Sequence, residues 1–477
     1  MKKTAIQLLP VLLILAACGN APKQKAADNS AATESVTDAN LPPATYLEGC
    51  YATSSAIGKG LENLFDSNPA TTWQTQPGTG PDEGIMLYFQ NALAIKSIEI
   101  VAPESVFAKT AANEEKPILI YTNGLTASVG LPNEKISVAQ NGLVKSLFIR
   151  FPKTGKEESE TLRQDVYRLI YPADASIAVS ELKVVNDKGE TLRLVPPRIV
   201  KGSVRASSTL LPEMAYSAAN LFDSRKEFVW AEGSASSGEG ETLTFEFEAP
   251  VNITAIQIWD GYQRSDEHFS ANARLRDFDF GAKGGNARTY TLRDTKAGQK
   301  IELQVPTKGS AFELKVKSVY PGKSYKDLVL SDLVFYDGDQ PFILHSTLPE
   351  NYQKTLQSKA VNSPLAALLD KRIANEVQED ASSVSQSLIL RSDGSFVLYS
   401  LARSDGEADI STFADGNWEI LSNNQVKVFG KWTDLINLPA YYKGSEQQNP
   451  TRIFKDVLTI DAKQVTGTKM VGTFYLK

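Results

Sequence analysis

Between Trp259 and Arg276 the chain reads "WDGYQRSDEHFSANARLR", which gathers Trp259, Asp260, Tyr262, Arg264, His268, Asn272, Arg274 and Arg276 directly after a strand-like run. Those residue types suit the recognition of a sugar. An aromatic face can lie under the C–H groups of a pyranose, while carboxylate, amide and guanidinium groups make directional hydrogen bonds to hydroxyls; a few placed polar groups suffice to orient a ligand. A blander account stays open beside it, in which Trp259 belongs to a core and the arginines pair with neighbouring acids.

Catalysis has no comparable footing, and no catalytic residue is expected. The chain lacks G-x-S-x-G, H-E-x-x-H and C-x-x-C, and His268 and His345 are its only histidines, too few for most metal or triad chemistry. "AKGGNAR" (Ala282 to Arg288) lies between strand-like runs with no helix after it, so it does not form a phosphate loop. Carboxylates are plentiful, but nothing in their spacing selects a pair for glycoside cleavage.

The charge balance narrows the partners. Fifty Lys and Arg against 56 Asp and Glu leave a net charge of −6, with no basic field to attract nucleic acid. At about 100 to 200 residues per domain, the 477-residue chain has length for several separate cores.

The N-terminus carries an address. "MKKTAIQLLPVLLILAAC" places Lys2 and Lys3 before an apolar run from Ile6 to Leu15, then small residues before Cys18, in the layout of a secretory signal. The run falls short of the roughly 20 residues that a membrane-spanning helix needs. "LAAC" (Leu15 to Cys18) resembles the bacterial lipobox, which implies a signal peptide over residues 1–17 and an acylated Cys18 that anchors the mature chain to the cell envelope. Gly19 after it is not the Asp of an inner-membrane retention signal, which favours the outer membrane. With Cys18 acylated, Cys50 has no partner in the chain for a disulfide. Residues 18–45, rich in Ala, Asn, Ser and Pro, read as a flexible tether.

Beyond the tether, short alternating segments bounded by turn residues predict strands: "IMLYF" (Ile85 to Phe89), "IKSIEIV" (Ile95 to Val101), "LTFEFE" (Leu243 to Glu248), "ITAIQIW" (Ile253 to Trp259) and "FELKVKSV" (Phe312 to Val319). Their spacing suits antiparallel sandwiches. "NLFDSNPATTW" (Asn63 to Trp73) returns as "NLFDSRKEFVW" (Asn220 to Trp230), and "IYP…SEL" is echoed by "VYP…SDL". Two anchors in the same order predict two copies of one domain, over residues 46–195 and 196–340, joined at "VPPR". Residues 341–477 form a third unit. It is expected to be a small antiparallel sheet or barrel with one helix, around "LAALLDKRIANEV" (Leu365 to Val377), and a hairpin turn at "SDG" (Ser392 to Gly394).

The pattern Asn-Leu-Phe-Asp-x-Asn-x-x-Thr-x-Trp, followed by a Gly-rich turn and "LYF", resembles the start of discoidin-like (F5/8 type C, galactose-binding-like) domains, which are jelly-roll β-sandwiches with ligand sites on loops at one end. The second copy resembles the branch found as the translocation domain of bacterial NAD glycohydrolases. "VWAEGSASSGEGETLTFEF" (Val229 to Phe247), "IQIWDGYQRSDEHFSANARLRDF" (Ile256 to Phe278) and "VYPGKSYKDLVLSDLVF" (Val319 to Phe335) carry that likeness, while the enzymatic part of those toxins has no counterpart here. The resemblance implies a structural calcium in the first copy, held by Asp66, Asn68, Thr71 and Glu181; a capped turn in which Asp66 bonds local amides stays equally open. In the second copy Arg225 and Phe228 replace the amide and the threonine, which argues against calcium there. The expectation is a mainly β, lipid-anchored envelope protein whose second discoidin-like domain binds a glycan or a protein partner. The alternatives are an assembly lipoprotein without a small ligand and a substrate-capturing accessory to a separate enzyme.

Overall fold

A computed structural model describes residues 42–476, apart from 57, 76–83, 104–117, 124–125, 139–141, 152–157, 171–175, 212, 347–349, 362, 405–409 and 435–450. Cys18 and the signal-like segment lie outside the described residues. Among the described residues, no helix is long and apolar enough to cross a membrane.

The protein is mainly β, with sandwich-like sheets followed by a near-closed, barrel-like one. In the first sandwich a six-stranded sheet runs in the order Arg193–Val195, Ala44–Ala52, Gly84–Leu93, Val144–Arg150, Ile118–Thr122, Thr126–Gly130, and the strands Glu181–Asn186, Ile95–Val101 and Lys135–Ser137 make a second sheet. The run "IMLYF" shows why the sequence is apolar at consecutive positions. Successive strand residues point to opposite faces. Ile85, Leu87 and Phe89 enter the sandwich core, while Met86 and Tyr88 turn outward into a second cluster with Phe148, Val397, Tyr399 and Phe413. The strand is buried on both sides because the third unit packs against its outer face.

The second sandwich repeats this order: Gln340–Ser346, Arg198–Ala206, Thr242–Asp260, Gln299–Tyr320, Arg274–Ala282, Arg288–Thr291. In each case the first strand pairs in parallel with the last, Ala44 with Arg193 and Arg198 with Phe342. The copies differ in continuity. Thr242–Asp260 and Gln299–Tyr320 run on through a single eight-stranded sheet, so that residues 243–247 of the former pair with Ala206 to Gly202 and residues 255–260 with Tyr336 to Leu330. Register shifts lie between Glu246 and Val251 and between Ile253 and Ala255, around Pro250 and the facing Pro306, where a missing N–H interrupts the ladder. Phe222, Phe245, Phe247, Phe280, Phe312, Phe335 and Phe342 fill the interior with edge-on and stacked ring pairs.

The repeated segment is framework in both sandwiches. Trp73 and Trp230 are fully buried, with the indole N–H donating to Ser54 O (3.2 Å) and Ser208 O (3.1 Å). The Asn63 and Asn220 amides donate to Thr72 O and Val229 O, each at 2.8 Å. Ser67 and Ser224 both adopt left-handed backbone, with φ of 58° and 61°.

The third unit is an antiparallel meander from Arg372–Glu379 to Thr473–Tyr475, to which the hairpin Glu158–Arg163/Val166–Ile170 of the first sandwich adds two further strands, with Val166 opposite Val377. Its two ends approach each other through buried Asn375. The side-chain oxygen of Asn375 accepts from Tyr475 N (2.9 Å) and its amide reaches Tyr475 O (3.5 Å), taking the place of ladder bonds. The helix Glu350–Val361 and the 3-10 turn Pro364–Ala367 contribute Ala360 and Leu365 to the barrel core. The helix expected over Leu365 to Val377 is corrected: Arg372–Glu379 is a strand. Asp370, with a φ of 59°, breaks the helical course, and pairing on both edges of the strand overrides its local helix preference. The expected turn stands between the strands Ser382–Leu390 and Ser395–Ser404, with Gly394 at a φ of 88°.

The altered middle of the second repeat, "RKEFV", ties the three units together. Arg225, 3 % exposed, donates to Asp415 and Thr433 of the barrel, and its guanidinium lies over Phe228 (4.6 Å), Phe413 (5.2 Å) and Tyr51 (5.6 Å). Lys431 of the barrel pairs with Asp223, and Lys226 pairs with Glu48 of the first sandwich (2.6 Å). Ser224 packs so closely on Gly49 that a Cβ there would meet it at 2.6 Å.

Candidate functional site

Where the two sandwiches meet, a cleft of about 750 Å³ opens. Glu48, Tyr88, Gln90, Asn91, Lys145 and Ser146 line one side; Lys226, Gln257, Trp259, Gln263, Ser265, Asp266, Lys296, Gly298 and Lys300 line the other. The strands Ala44–Ala52, Gly84–Leu93 and Val144–Arg150 supply the first wall, and Thr242–Asp260 with the loop after it supplies most of the second. Most of the lining residues carry amide, hydroxyl or charged side chains, although carbon atoms make up the larger share of the wall's surface.

Glu48 is the electrostatic hinge of the cleft, accepting from Lys145 (2.8 Å) and Lys226 (2.6 Å). Burial pushes its carboxyl up, but the Lys226 and Lys145 ammonium groups outweigh burial and hold it below the usual carboxylate range. Lys145 also donates to Phe89 O (2.6 Å) and Gln90 O (3.0 Å), and burial, only partly offset by Glu48, holds its ammonium below the usual range. Lys226 lies 4.1 Å from the centre of the Trp259 ring. Deeper in, Tyr336 donates to Gln257. Buried Asp332 has its carboxyl raised well above the ordinary value by desolvation, against the pull of Lys226.

Of the eight residues singled out between Trp259 and Arg276, the cleft takes Trp259 alone, together with Gln263, Ser265 and Asp266 from the same stretch. Trp259 is 3 % exposed; a Cβ on Gly298 would meet its indole at 2.5 Å, so it forms wall rather than an open stacking platform. The remaining seven chiefly order the loop. Asp260 is fully buried, accepts from Gly261 N and Leu275 N (both 2.8 Å), and is raised by burial well above the usual carboxylate range. Arg274 forks onto Asp294 (2.7 and 2.9 Å) and donates to Asn272 O (2.7 Å); the Asn272 amide donates to His268 O (2.8 Å). Tyr262 meets the His268 ring edge-on at 5.0 Å and accepts from Arg264 (3.3 Å), while Arg276 is exposed beside Asp277 (3.5 Å). His268 also contacts Ser265 Oγ through Nδ1 (2.7 Å), and Ser265 caps the short helix Asp266–Ala271 by accepting from His268 N (3.0 Å). Burial and Arg264 lower the His268 pKa.

The proposed calcium ligands stand as follows. Asp66 accepts from Asn68 N (2.9 Å) and Thr71 Oγ1 (2.6 Å), Asn68 Oδ1 accepts from Ala70 N (3.1 Å), and Glu181 lies 3.5 Å from the Lys183 ammonium. The Asp66, Asn68 and Thr71 oxygens are engaged within an exposed turn, Glu181 stands at the start of a strand, and a cation would displace Lys183 from Glu181. Among the described residues, no group of three His, Cys, Asp or Glu side chains is placed to hold a metal ion. Cys50 is a packed thiol, pushed up to about 12 by burial and then by Glu62.

Residues 199–336 match the family of NAD glycohydrolase translocation F5/8 type C domains. The match covers the second sandwich except for its last strand, Gln340–Ser346, and stops before the barrel. No curated protein matches the chain. Among solved structures, the CBM32-1 and CBM32-2 domains of Clostridium perfringens ZmpB in complex with GalNAc are similar at 13% identity, over 61% of this chain and 90% of that one, with a TM-score of 0.22. The family 32 CBM of C. perfringens NanJ in complex with galactose is similar at 12% identity over 28% and 93%, with a TM-score of 0.23. The arabinofuranosyltransferase AftD from Mycobacteria is similar at 10% identity over 81% and 38%, with a TM-score of 0.26. With TM-scores this low, the architecture rests on the strand order above.

Sequence inspection missed Glu48, Gln90, Asn91, Lys145, Lys226, Lys296 and Lys300 as lining residues. They come from separate strands and turns with no common motif. The one usable signal was the departure of "RKEFV" from its earlier copy, which singles out Lys226.

Proposed function

We propose that this protein is a non-catalytic carbohydrate-binding protein of the bacterial cell envelope, anchored through acylated Cys18 and built on two copies of a discoidin-like sandwich. The cleft between those copies is its binding site. A single observation carries the proposal: about 750 Å³ of cleft is walled by Gln90, Asn91, Ser146, Gln257, Gln263 and Ser265, amide and hydroxyl groups suited to the donors and acceptors of a sugar. The F5/8 type C match over residues 199–336 supports a binding module rather than a reaction centre. The 259–276 stretch takes part through Trp259 and its neighbours, with its other polar side chains holding the wall in shape.

That same internal satisfaction favours a second reading, an assembly lipoprotein that binds no small ligand. A glycan array probed with the full mature chain separates the two. The carbohydrate proposal expects a defined set of glycans bound, weakened about tenfold by the double variant Gln90→Ala, Asn91→Ala, at a half-buried and an exposed position, as loss of one or two hydrogen bonds implies. No glycan bound, by wild-type protein shown to be folded, favours assembly.

A further inference from the structure

The polar lining of the cleft is not neutral. Among the described residues it presents four ammonium groups, Lys145, Lys226, Lys296 and Lys300, against two carboxylates, Glu48 and Asp266. One carboxylate, Glu48, is shared by two of these lysines, at 2.8 and 2.6 Å. Lys296 takes Asp266 (2.7 Å); Lys300 pairs with Glu302 (3.2 Å), whose side chain is 70% exposed and does not line the cleft, and lies 4.3 Å from the centre of the Tyr336 ring. Among the described residues, cations therefore outnumber anions on the walls, in a chain whose overall charge is −6. A concave site with low-dielectric walls concentrates such a field.

From this we infer that the cleft selects acidic saccharides, sugars bearing a carboxylate or a sulfate, over neutral ones of the same shape. The inference rests on the carbohydrate reading and adds the ligand's charge to it. Lys145, Lys296 and Lys300, whose side chains are 43%, 37% and 31% exposed, meet the anionic group first. Lys226 lies deeper, over Trp259, where an approaching anion competes with Glu48 for its ammonium. An anion so placed relieves the crowding of Lys145 and Lys226 around one carboxylate. The amide groups then read the neutral hydroxyls, so charge and hydroxyl pattern are read by different side chains.

Isothermal titration of the full mature chain tests this with matched pairs that differ in charge: an oligogalacturonate against its methyl ester, and a sulfated galactan oligosaccharide against its desulfated form. Tighter binding of one charged member identifies which acidic group is read. The expected result is that the acidic member of at least one pair binds about tenfold more tightly than its neutral partner. The advantage shrinks as salt rises, because the screening length falls from about 10 Å at 0.1 M to about 3 Å at 1 M. Lys300→Gln, at an exposed position, reduces the advantage. Equal affinity for charged and neutral members in both pairs overturns the inference while leaving carbohydrate binding intact. No binding to any of the four, from a protein that also binds nothing on the array, overturns both.

Discussion

Replacing Arg225 by alanine is expected to destabilise the protein by about 3 to 5 kcal/mol, the range for removing one partner from a buried charge group. The cost lies in what is left behind. Asp415 has a side chain 40% exposed and can turn to water, but Glu227 is fully buried with its carboxylate 3.8 Å from the Arg225 Nε. Without the guanidinium that carboxylate loses a cation beside it, and the faces of Phe228, Phe413 and Tyr51 lose the group that lies over them. Urea unfolding of the full chain, followed by tryptophan fluorescence, measures the loss. The double variant Arg225→Met, Glu227→Gln removes both charges at similar volume and should recover more than half of it. A loss under about 1 kcal/mol for Arg225→Ala, the size of an exposed ion pair, would refute the reasoning, as would a double variant no more stable than the single.

Three further outcomes follow from the same structure. Asp456 is buried and accepts from the Thr468 hydroxyl (2.6 Å) and from the amides of Met470 and Val471 (both 2.8 Å); burial alone would raise its carboxyl, but these donors hold it at about 2. Its stabilisation is therefore complete above the unfolded value near 4 and is lost as the pH falls through about 2; Asp456→Asn should remove about 2 kcal/mol at neutral pH and flatten the acid limb of a melting-temperature profile. Asn375→Ala strips Tyr475 N–H of its acceptor and should cost about 1 to 3 kcal/mol, with faster hydrogen exchange at that amide; unchanged exchange would show that Asn375 does not close the barrel. Asp66→Ala should cost about 1 kcal/mol through the capped turn, and EDTA should leave the melting temperature of the wild type unchanged; a fall with EDTA would instead establish calcium as the partner of Asp66.

The β architecture was legible because its strands are short, alternating and bounded by turn residues, and because "NLFD…W" repeats a set of buried contacts rather than a motif of chemistry. Leu64, Trp73, Leu221 and Trp230 recur because each fills the same place in a core. The strand Arg372–Glu379 was illegible, since "RIANEV" has fair helix preference and only its neighbours on both edges make it a strand. The cleft was legible only in part. Trp259 stands in a conspicuous cluster, yet the other residues of that cluster spend their hydrogen bonds on the loop itself. Glu48 and Lys145 are 97 residues apart and meet Lys226 only once two sandwiches pack together, a juxtaposition no local pattern encodes. The departures of "RKEFV" from its first copy had a physical cause as well: Arg225 and Lys226 serve the barrel and the first sandwich respectively.

The most direct test of carbohydrate binding in the cleft is to block it. Asn91 is exposed on the cleft wall and outside the core clusters, so Asn91→Trp should fill the site without disturbing the fold. Titration of wild-type and Asn91→Trp protein with the best glycan from the array should show binding lost in the variant at an unchanged melting temperature. Undiminished affinity in a folded Asn91→Trp protein would place the ligand elsewhere and contradict the account.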